Sequence, residues 1–152
     1  NDRIPDRVNF INAEFLAKER GIIIEYGANN EDGSYTNLIN SCVVLDNMEN
    51  ILDGSVFDGN QLRLVNILGY DMDINPIGNL LFVKNEDVPG VIGKVGTLLG
   101  EHKINIGAYL LSNATEMDEA FAVIRLDTEI PSSVIQLLIE IPEILSVQQI
   151  IC

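Results

Sequence analysis

The second half of the chain carries an alternation of strand and helix patterns that leaves few folds open. Short apolar strand patterns occur at "NLLFVKN", "INIGAYLLS", "AFAVIRLD" and "EILSVQQII". Residues 90–102 predict a helix because apolar side chains recur on one of its faces. "PSSVIQLLIE" predicts a second helix, since Pro131 suits a first turn and Pro142 ends the pattern. The order of elements is therefore βαββαβ.

This order predicts a ferredoxin-like domain of the α+β class, in which two helices cover one face of an antiparallel sheet. The other face of the sheet, or one of its edges, is then free to meet a partner. "INPIGN" interrupts the pattern with Pro76 and Gly78, and we place a domain boundary there. Residues 78–152 are predicted to form the ferredoxin-like domain, and residues 1–77 a second, partial α+β domain.

The first 77 residues predict one helix followed by short strands. Residues 8–20 have a rough apolar face and stop at Gly21, a residue that suits a C-terminal cap. "GIIIEY" predicts a buried strand and "TNLINSCVVLD" a second strand. Turn residues separate three further predicted strands, at Ile51–Phe57, Leu62–Leu68 and Tyr70–Ile74.

Net charge and cysteine content argue against several classes of protein. The chain has 23 acidic and 9 basic residues, a formal net charge of −14. Such a surface repels phosphate backbones and anionic membranes, so we expect neither nucleic acid nor a membrane as a partner. The two cysteines, Cys42 and Cys152, make no disulfide framework. We therefore expect a cytoplasmic protein, with Cys42 as a small apolar residue inside a strand.

Glycines recur at positions 90, 93, 96 and 100 in "VPGVIGKVGTLLG". A dinucleotide fingerprint requires the spacing G-x-G-x-x-G, which this stretch lacks. Lys94 is followed by Val95, so the stretch does not end like a phosphate-binding Walker loop either. The three glycines inside the predicted helix form a bare stripe, which predicts close packing of that helix on a neighbour.

The turn before this helix has the chemistry to hold an amino acid. Asn85, Glu86 and Asp87 precede the helix N-terminus, where free backbone N–H groups can bind a carboxylate. The Asp87 carboxylate can bind an ammonium group, and Asn105 can face the turn from the same subunit or from a partner. In the alternative interpretation Asp87 only caps the helix and Asn105 only satisfies a turn.

The run "LLFVKNEDVPGVIGKVGTLLGEHKINIGAYLLS" closely resembles the ACT regulatory domain of the D-3-phosphoglycerate dehydrogenase family. The similarity continues through "EAFAVIRLDTEIP" and "ILSVQQI". "VNFINAEFLAKERGI", "YTNLINSCV" and "ILGYDMDINPIGN" resemble the second half of that family's intervening, or allosteric-substrate-binding, domain. The resemblance implies a C-terminal regulatory piece of an NAD-dependent oxidoreductase of serine biosynthesis. The piece itself is expected to have no catalytic residue and no cofactor.

The resemblance also implies a ligand site. In the family this turn binds the feedback inhibitor L-serine at a subunit interface, and the ACT sheets pair edge to edge in a homodimer or tetramer. Asn85 and Asp87 match the turn positions that contact serine, and Asn105 matches the asparagine that reaches the ligand from the partner. Asn85 stands where histidine or tyrosine is often found. The carboxylate is expected on the backbone around Val88, Pro89, Gly90, Val91 and Ile92.

Some members of the family carry a second site, for an anionic ligand, in the intervening domain. Arg63 and Arg125 match basic positions of that site, on facing surfaces of the two domains. Asp71 stands where such a member has a histidine, and a carboxylate there repels a phosphate. The alternative is that both arginines form surface ion pairs in a very acidic protein.

Two other functions remain open at this point. One is the regulatory part of an iron–sulfur L-serine dehydratase, which pairs the same two domain types. The other is an ACT pair that serves only to assemble the enzyme. A metal site is not expected, because no Cys/His spacing is typical of zinc and "DMDINP" lacks the glycine and glutamate of a calcium loop. The only histidine, His102, lies at a predicted helix C-terminus, which favours a structural role.

Overall fold

The computed structural model describes residues 8–9, 11–28, 35, 37–113 and 118–152. The chain divides into two compact units, Asn1–Ser34 and Tyr35–Cys152.

Within its described residues, the first unit contains one helix, α1 (Ala13–Glu19), which begins five residues later than the sequence predicts. The Oδ1 atom of Asn9 accepts hydrogen bonds from the backbone N–H groups of Ile11 (2.9 Å) and Asn12 (3.1 Å). This local turn competes with helical hydrogen bonding and delays the helix. The strand predicted at "GIIIEY" is wrong, because Ile22, Ile23 and Ile24 are all exposed and lie outside any strand.

The second unit begins with a meander of four antiparallel strands. These are β1 (Leu38–Leu45), β2 (Met48–Phe57), β3 (Gln61–Ile67) and β4 (Tyr70–Ile74), and each pairs with the next. Asp46 (φ 50°) and Asn47 (φ 63°) form the turn between β1 and β2. A two-residue turn with positive φ at both positions suits the twist of a hairpin. For this reason β2 starts at Met48, earlier than the predicted Ile51.

Cys42 lies in β1 as predicted, but its side chain is exposed rather than buried, and Cys152 is exposed as well. Both faces of β1 are open, so the strand position alone does not cover its side chains.

The rest of the unit has the predicted βαββαβ order. Its elements are β5 (Asn79–Glu86), α2 (Val91–Glu101), β6 (Ile106–Asn113), β7 (Glu119–Leu126), α3 (Ser132–Ile139) and β8 (Ile144–Ile151). The four strands form one antiparallel sheet in the order β6-β7-β5-β8. This is the ferredoxin-like arrangement, so the prediction of fold class is confirmed, and β6 and β8 are the two edges of the sheet.

The second sheet lies between the helices and the first sheet. Odd-numbered residues of β5 such as Leu81 and Val83 pack against α2 and α3, together with Val95, Leu99 and Leu138. Even-numbered residues such as Leu80 and Phe82 face the first sheet, where they meet Tyr70, Met72 and Ile74 of β4. The central strands β5 and β7 are thus covered on both faces, which explains their nearly continuous apolar sequences.

Candidate functional site

The start of the link between β5 and α2 is held by two backbone hydrogen bonds. The N–H of Asp87 donates to the carbonyl oxygen of Asp118 (3.0 Å), and the N–H of Val88 donates to that of Glu86 (2.9 Å). Gly90 adopts φ 100°, a left-handed conformation that glycine tolerates best, and it occupies the N-cap position of α2. The link therefore turns sharply and presents the start of α2.

The N-terminus of α2 is a ready binding position for an anion. Its N-cap residue is Gly90, which has no side chain with which to cap the helix, and its first turn contains no acidic residue. The first N–H groups of a helix have no acceptor inside that helix. Aligned with the helix dipole, they favour a carboxylate or a phosphate.

Asn85 lies in β5, five residues before Gly90, and is almost completely buried, with 4% of its surface exposed. Its Nδ2 donates to the carbonyl oxygen of Glu86 at 2.7 Å. Its Oδ1 is buried and has no hydrogen-bond partner among the residues that the structure describes. A buried acceptor without a partner costs about 1–3 kcal/mol, so a ligand that donates a hydrogen bond there is stabilised.

Asn105 lies far from the turn of its own chain. β5 and β6 are parallel because each is antiparallel to β7. Ile106 and Asn79 lie at the same height in the sheet, because both pair with Leu126 of β7. Glu86 lies seven residues further along β5, roughly 23 Å at about 3.3 Å per residue. The backbone N–H of Asn105 donates to Asp127 Oδ1 (3.3 Å). Within one chain, Asn105 therefore lies too far from the turn to contact a ligand bound there.

The two arginines have different surroundings. Arg63 in β3 forms an ion pair with Asp73 of β4, with 3.5 Å between Nη1 and Oδ1. Arg125 in β7 is exposed and lies across Gly107, where an added Cβ would be 3.5 Å from its Nε. The ion-pair role proposed as the alternative is thus present for Arg63. The anion site stays a prediction.

The glycine stripe of α2 does not pack on a neighbour within this chain. A Cβ added at Gly93, Gly96 or Gly100 would meet no atom within 4 Å among the described residues. Gly93 borders an open groove of about 690 Å³ between α2 and α3. Gly96 lies further from this groove, on the side of α2 that carries Ile92, whereas Gly100 is seven residues after Gly93 and projects only about 20° away from it. The prediction of close packing is therefore wrong for a single chain.

Two ion pairs near the turn escaped the sequence reasoning. Lys94 of α2 pairs with Glu143 (Nζ to Oε1, 2.5 Å), whose carbonyl oxygen accepts the N–H of Glu86 (2.9 Å). The hydrogen bond from Lys94 holds the pKa of Glu143 below its usual value. Lys84 of β5 pairs with Glu119 of β7 at 2.6 Å. Their sequence signals are single charges: Lys84 and Glu119 within apolar strands, Glu143 next to one, and Lys94 within the α2 helix.

Two further features bear on function. In the described part of the chain, no three potential metal ligands lie close enough together to hold an ion. Among the helices that the structure describes, none is long and apolar enough to cross a membrane.

The fold and the turn before α2 define an ACT-domain protein, and residues 79–143 match the family model of the ACT domain. Residues 2–68 match the model of the D-3-phosphoglycerate dehydrogenase intervening domain. The chain therefore carries the intervening and ACT domains of the D-3-phosphoglycerate dehydrogenase family. The domain boundary between residues 77 and 78 falls between the two matches and stays a prediction.

Several longer relatives are named D-3-phosphoglycerate dehydrogenase. The D-3-phosphoglycerate dehydrogenase of Bacillus subtilis is 30% identical over 148 residues, which are 97% of this chain and 28% of the relative. That of Mycobacterium leprae is 34% identical over 133 residues, 86% of this chain and 25% of the relative. That of Mycobacterium tuberculosis is 35% identical over 134 residues, again 86% and 25%. The chain thus spans about a quarter of the length of these relatives.

Proposed function

We propose that this chain is the amino-acid-sensing part of a D-3-phosphoglycerate dehydrogenase and that it binds L-serine at the N-terminus of α2. The oxidation of D-3-phosphoglycerate with NAD belongs to the whole enzyme, and the role of this part is feedback control. The observation that carries the proposal is the buried Oδ1 of Asn85, which has no hydrogen-bond partner among the described residues, on the strand that leads into an α2 N-terminus that begins with glycine.

The two ends of an α-amino acid match the two sides of the turn. The carboxylate binds the first backbone N–H groups of α2, from Val91 onward, where the helix dipole favours negative charge. The ammonium group donates to Asn85 Oδ1 and pairs with the carboxylate of Asp87. Both contacts are charge-assisted, and such hydrogen bonds are roughly twice as strong as neutral ones.

A dimer related by a two-fold axis completes the site. β6 is an edge strand, so its free side can pair with β6 of a second copy. In an antiparallel pair the start of one strand lies beside the end of the other. Asn113, at the end of β6, is level with Asn85 of β5 through their shared partner Ala120. The partner subunit's Asn105 is thereby brought to the end of the sheet that carries the turn.

The flank of α2 suits the same dimer. Ile92, Gly96 and Gly100 recur at spacings of four, so they lie on one line along the helix. Ile92 is 50% exposed, and the two glycines border open space. A second copy of α2 can therefore approach closely along this line while the two β6 strands pair. Serine bound across this interface favours one arrangement of the dimer, which is how it would restrain the catalytic domains of the enzyme.

The relatives reported above carry the dehydrogenase name, which favours the dehydrogenase over an iron–sulfur L-serine dehydratase. An ACT pair that serves only for assembly is the second candidate, and the replacement of histidine or tyrosine by Asn85 favours it. Both candidates predict a dimer. They differ in whether the dimer binds an amino acid.

Isothermal titration with L-serine, with D-serine and glycine as controls, tests the proposal. We expect selective L-serine binding with at most one site per subunit. Asp87→Ala and Asn105→Ala should each abolish the binding, whereas Asp58→Ala, which removes an exposed carboxylate in the turn after β2, should leave it unchanged. No binding of L-serine by a chain that sediments as a dimer would overturn the sensor and leave the assembly role.

A further inference from the structure

A polar cluster joins the two sheets next to the candidate serine site. Lys84 of β5 and Glu119 of β7 form an ion pair of 2.6 Å, and about a third of each side chain is exposed (34% and 30%). Tyr70 of β4 contributes the third side chain and is 3% exposed. Its ring stacks on Phe121 with a centroid distance of 5.2 Å and an interplanar angle of 21°. Phe121 is the register partner of Lys84, so Tyr70 lies over the ion pair.

The Tyr70 hydroxyl is the least satisfied group of the cluster. It is buried and makes no hydrogen bond of good geometry with the described residues. Burial raises the pKa of Tyr70, the charge of Lys84 opposes this rise, and Glu119 adds to it. The hydrogen bond to Glu119 raises the pKa of Lys84. At neutral pH the hydroxyl is thus a neutral donor, and the Lys84 and Glu119 side chains are its charged neighbours.

The strands that carry the ion pair also carry the turn. Asn85 directly follows Lys84, and Glu86 is the register partner of Glu119. Asp118, which directly precedes Glu119, accepts the hydrogen bond from the N–H of Asp87. A displacement of residues 118–119 therefore moves the turn and at the same time changes the distance between Glu119 and the Tyr70 hydroxyl. Residues in one such network are energetically coupled.

We propose that Tyr70, Lys84 and Glu119 position the turn before α2 and transmit its occupancy to the first sheet. The identity of the ligand rests on the function proposed above, but the coupling is a property of the folded chain and holds without a ligand. Tyr70 is a positioning residue, because it lies on the first sheet and acts on the turn through Glu119 and Asp118. The ligand-bound turn fixes residues 118–119, and Glu119 then fixes β4 through the Tyr70 hydroxyl.

Amide hydrogen exchange followed by NMR tests the coupling in the absence of ligand. Tyr70→Phe keeps the ring stack and removes only the hydroxyl. Tyr35→Phe is the matched control, because Tyr35 also has a ring contact, with Phe57 at 5.9 Å, but lies outside the cluster. In Glu119→Gln, which weakens the ion pair with Lys84, we expect exchange at the turn amides of residues 86–88 to accelerate about two- to tenfold without ligand, the range of one hydrogen bond. Tyr70→Phe should leave this exchange unchanged within about twofold, because the hydroxyl makes no hydrogen bond there among the described residues. Unchanged exchange at these amides in Glu119→Gln would overturn the proposal.

The same measurement with L-serine separates the coupling from the ligand assignment. In the parent chain serine should slow exchange at the turn and also in residues 61–74 of the first sheet. In Tyr70→Phe the slowing should remain at the turn and be lost in residues 61–74, a result that a purely structural residue does not produce. Glu119→Gln should behave in the same way. If serine still slows exchange both at the turn and in residues 61–74 of Tyr70→Phe and Glu119→Gln, the coupling is contradicted. If serine slows exchange nowhere in the parent chain, only the serine site is contradicted.

Discussion

Asn85 and Asn105 lie at opposite ends of the second sheet, because β5 and β6 run parallel within it. The sequence left open whether Asn105 reaches the turn in its own subunit or in a partner. The geometry of one chain excludes the first of these two possibilities. If serine contacts both asparagines, binding and dimerisation are linked, and each strengthens the other by the same factor.

The first prediction concerns the glycine flank of α2. We expect Gly96→Lys to weaken the dimer, because it places a long charged side chain on the flank that faces the partner. The folded subunit should tolerate the change, since an added Cβ meets no atom within 4 Å and leaving glycine gains about 1 kcal/mol of helix propensity. Sedimentation equilibrium measures the loss of dimer.

Gly93→Lys is the control for this prediction. It makes the same substitution on the flank of α2 that borders the groove with α3, where an added Cβ is equally unhindered. It should stabilise the helix to the same extent and leave the dimer intact. Equal weakening of the dimer by both variants would mean that the partner does not dock on the Gly96 flank.

The second prediction concerns Asn85. We expect Asn85→Ala to weaken serine binding by about 1–3 kcal/mol, since it removes the acceptor that would hold the ammonium group. The unfolding free energy should change less than is usual for a buried polar residue. The lost Nδ2 hydrogen bond to Glu86 is offset by removal of an Oδ1 atom that has no partner among the described residues. Titration calorimetry and urea unfolding measure the two effects. A large loss of stability with unchanged affinity would make Asn85 purely structural.

The sequence predicted the fold class of the second domain, whereas the candidate ligand site stays a prediction. Particular residues show the physical reasons. Strands β5 to β8 are apolar runs bounded by turn residues, and each has a neighbouring strand to pair with. Ile22–Ile24 form the same kind of run, but an apolar run does not reveal whether a neighbouring strand exists, so the predicted strand was wrong. The turn at Asp87 is a local feature and was recognised. The cluster of Tyr70, Lys84 and Glu119 depends on register between three strands, which composition and spacing do not specify.

The third prediction concerns acid stability. Lys94 lowers the pKa of Glu143 in the folded chain, so the pair stabilises the fold above the unfolded pKa of glutamate, about 4.3. This contribution is lost as the pH falls through the lower folded pKa. We expect Glu143→Gln to lower Tm at pH 7 and to reduce the fall of Tm between pH 5 and pH 3. Asp127 lies outside this pair, so Asp127→Asn should show the same fall of Tm between pH 5 and pH 3 as the parent chain. An unchanged pH profile in Glu143→Gln would contradict the prediction.

The last prediction concerns Tyr109, whose hydroxyl is buried in the helix-side core without a hydrogen-bond partner among the described residues. Burial raises the pKa of this hydroxyl, because the charged form is poorly solvated there. We expect Tyr109→Phe to stabilise the subunit by about 1 kcal/mol, since it keeps the ring and removes the unpaired donor. Urea unfolding measures the change. Tyr109 lies on the edge strand β6, so a loss of stability only at protein concentrations where the chain dimerises would show that the hydroxyl finds its partner across the interface.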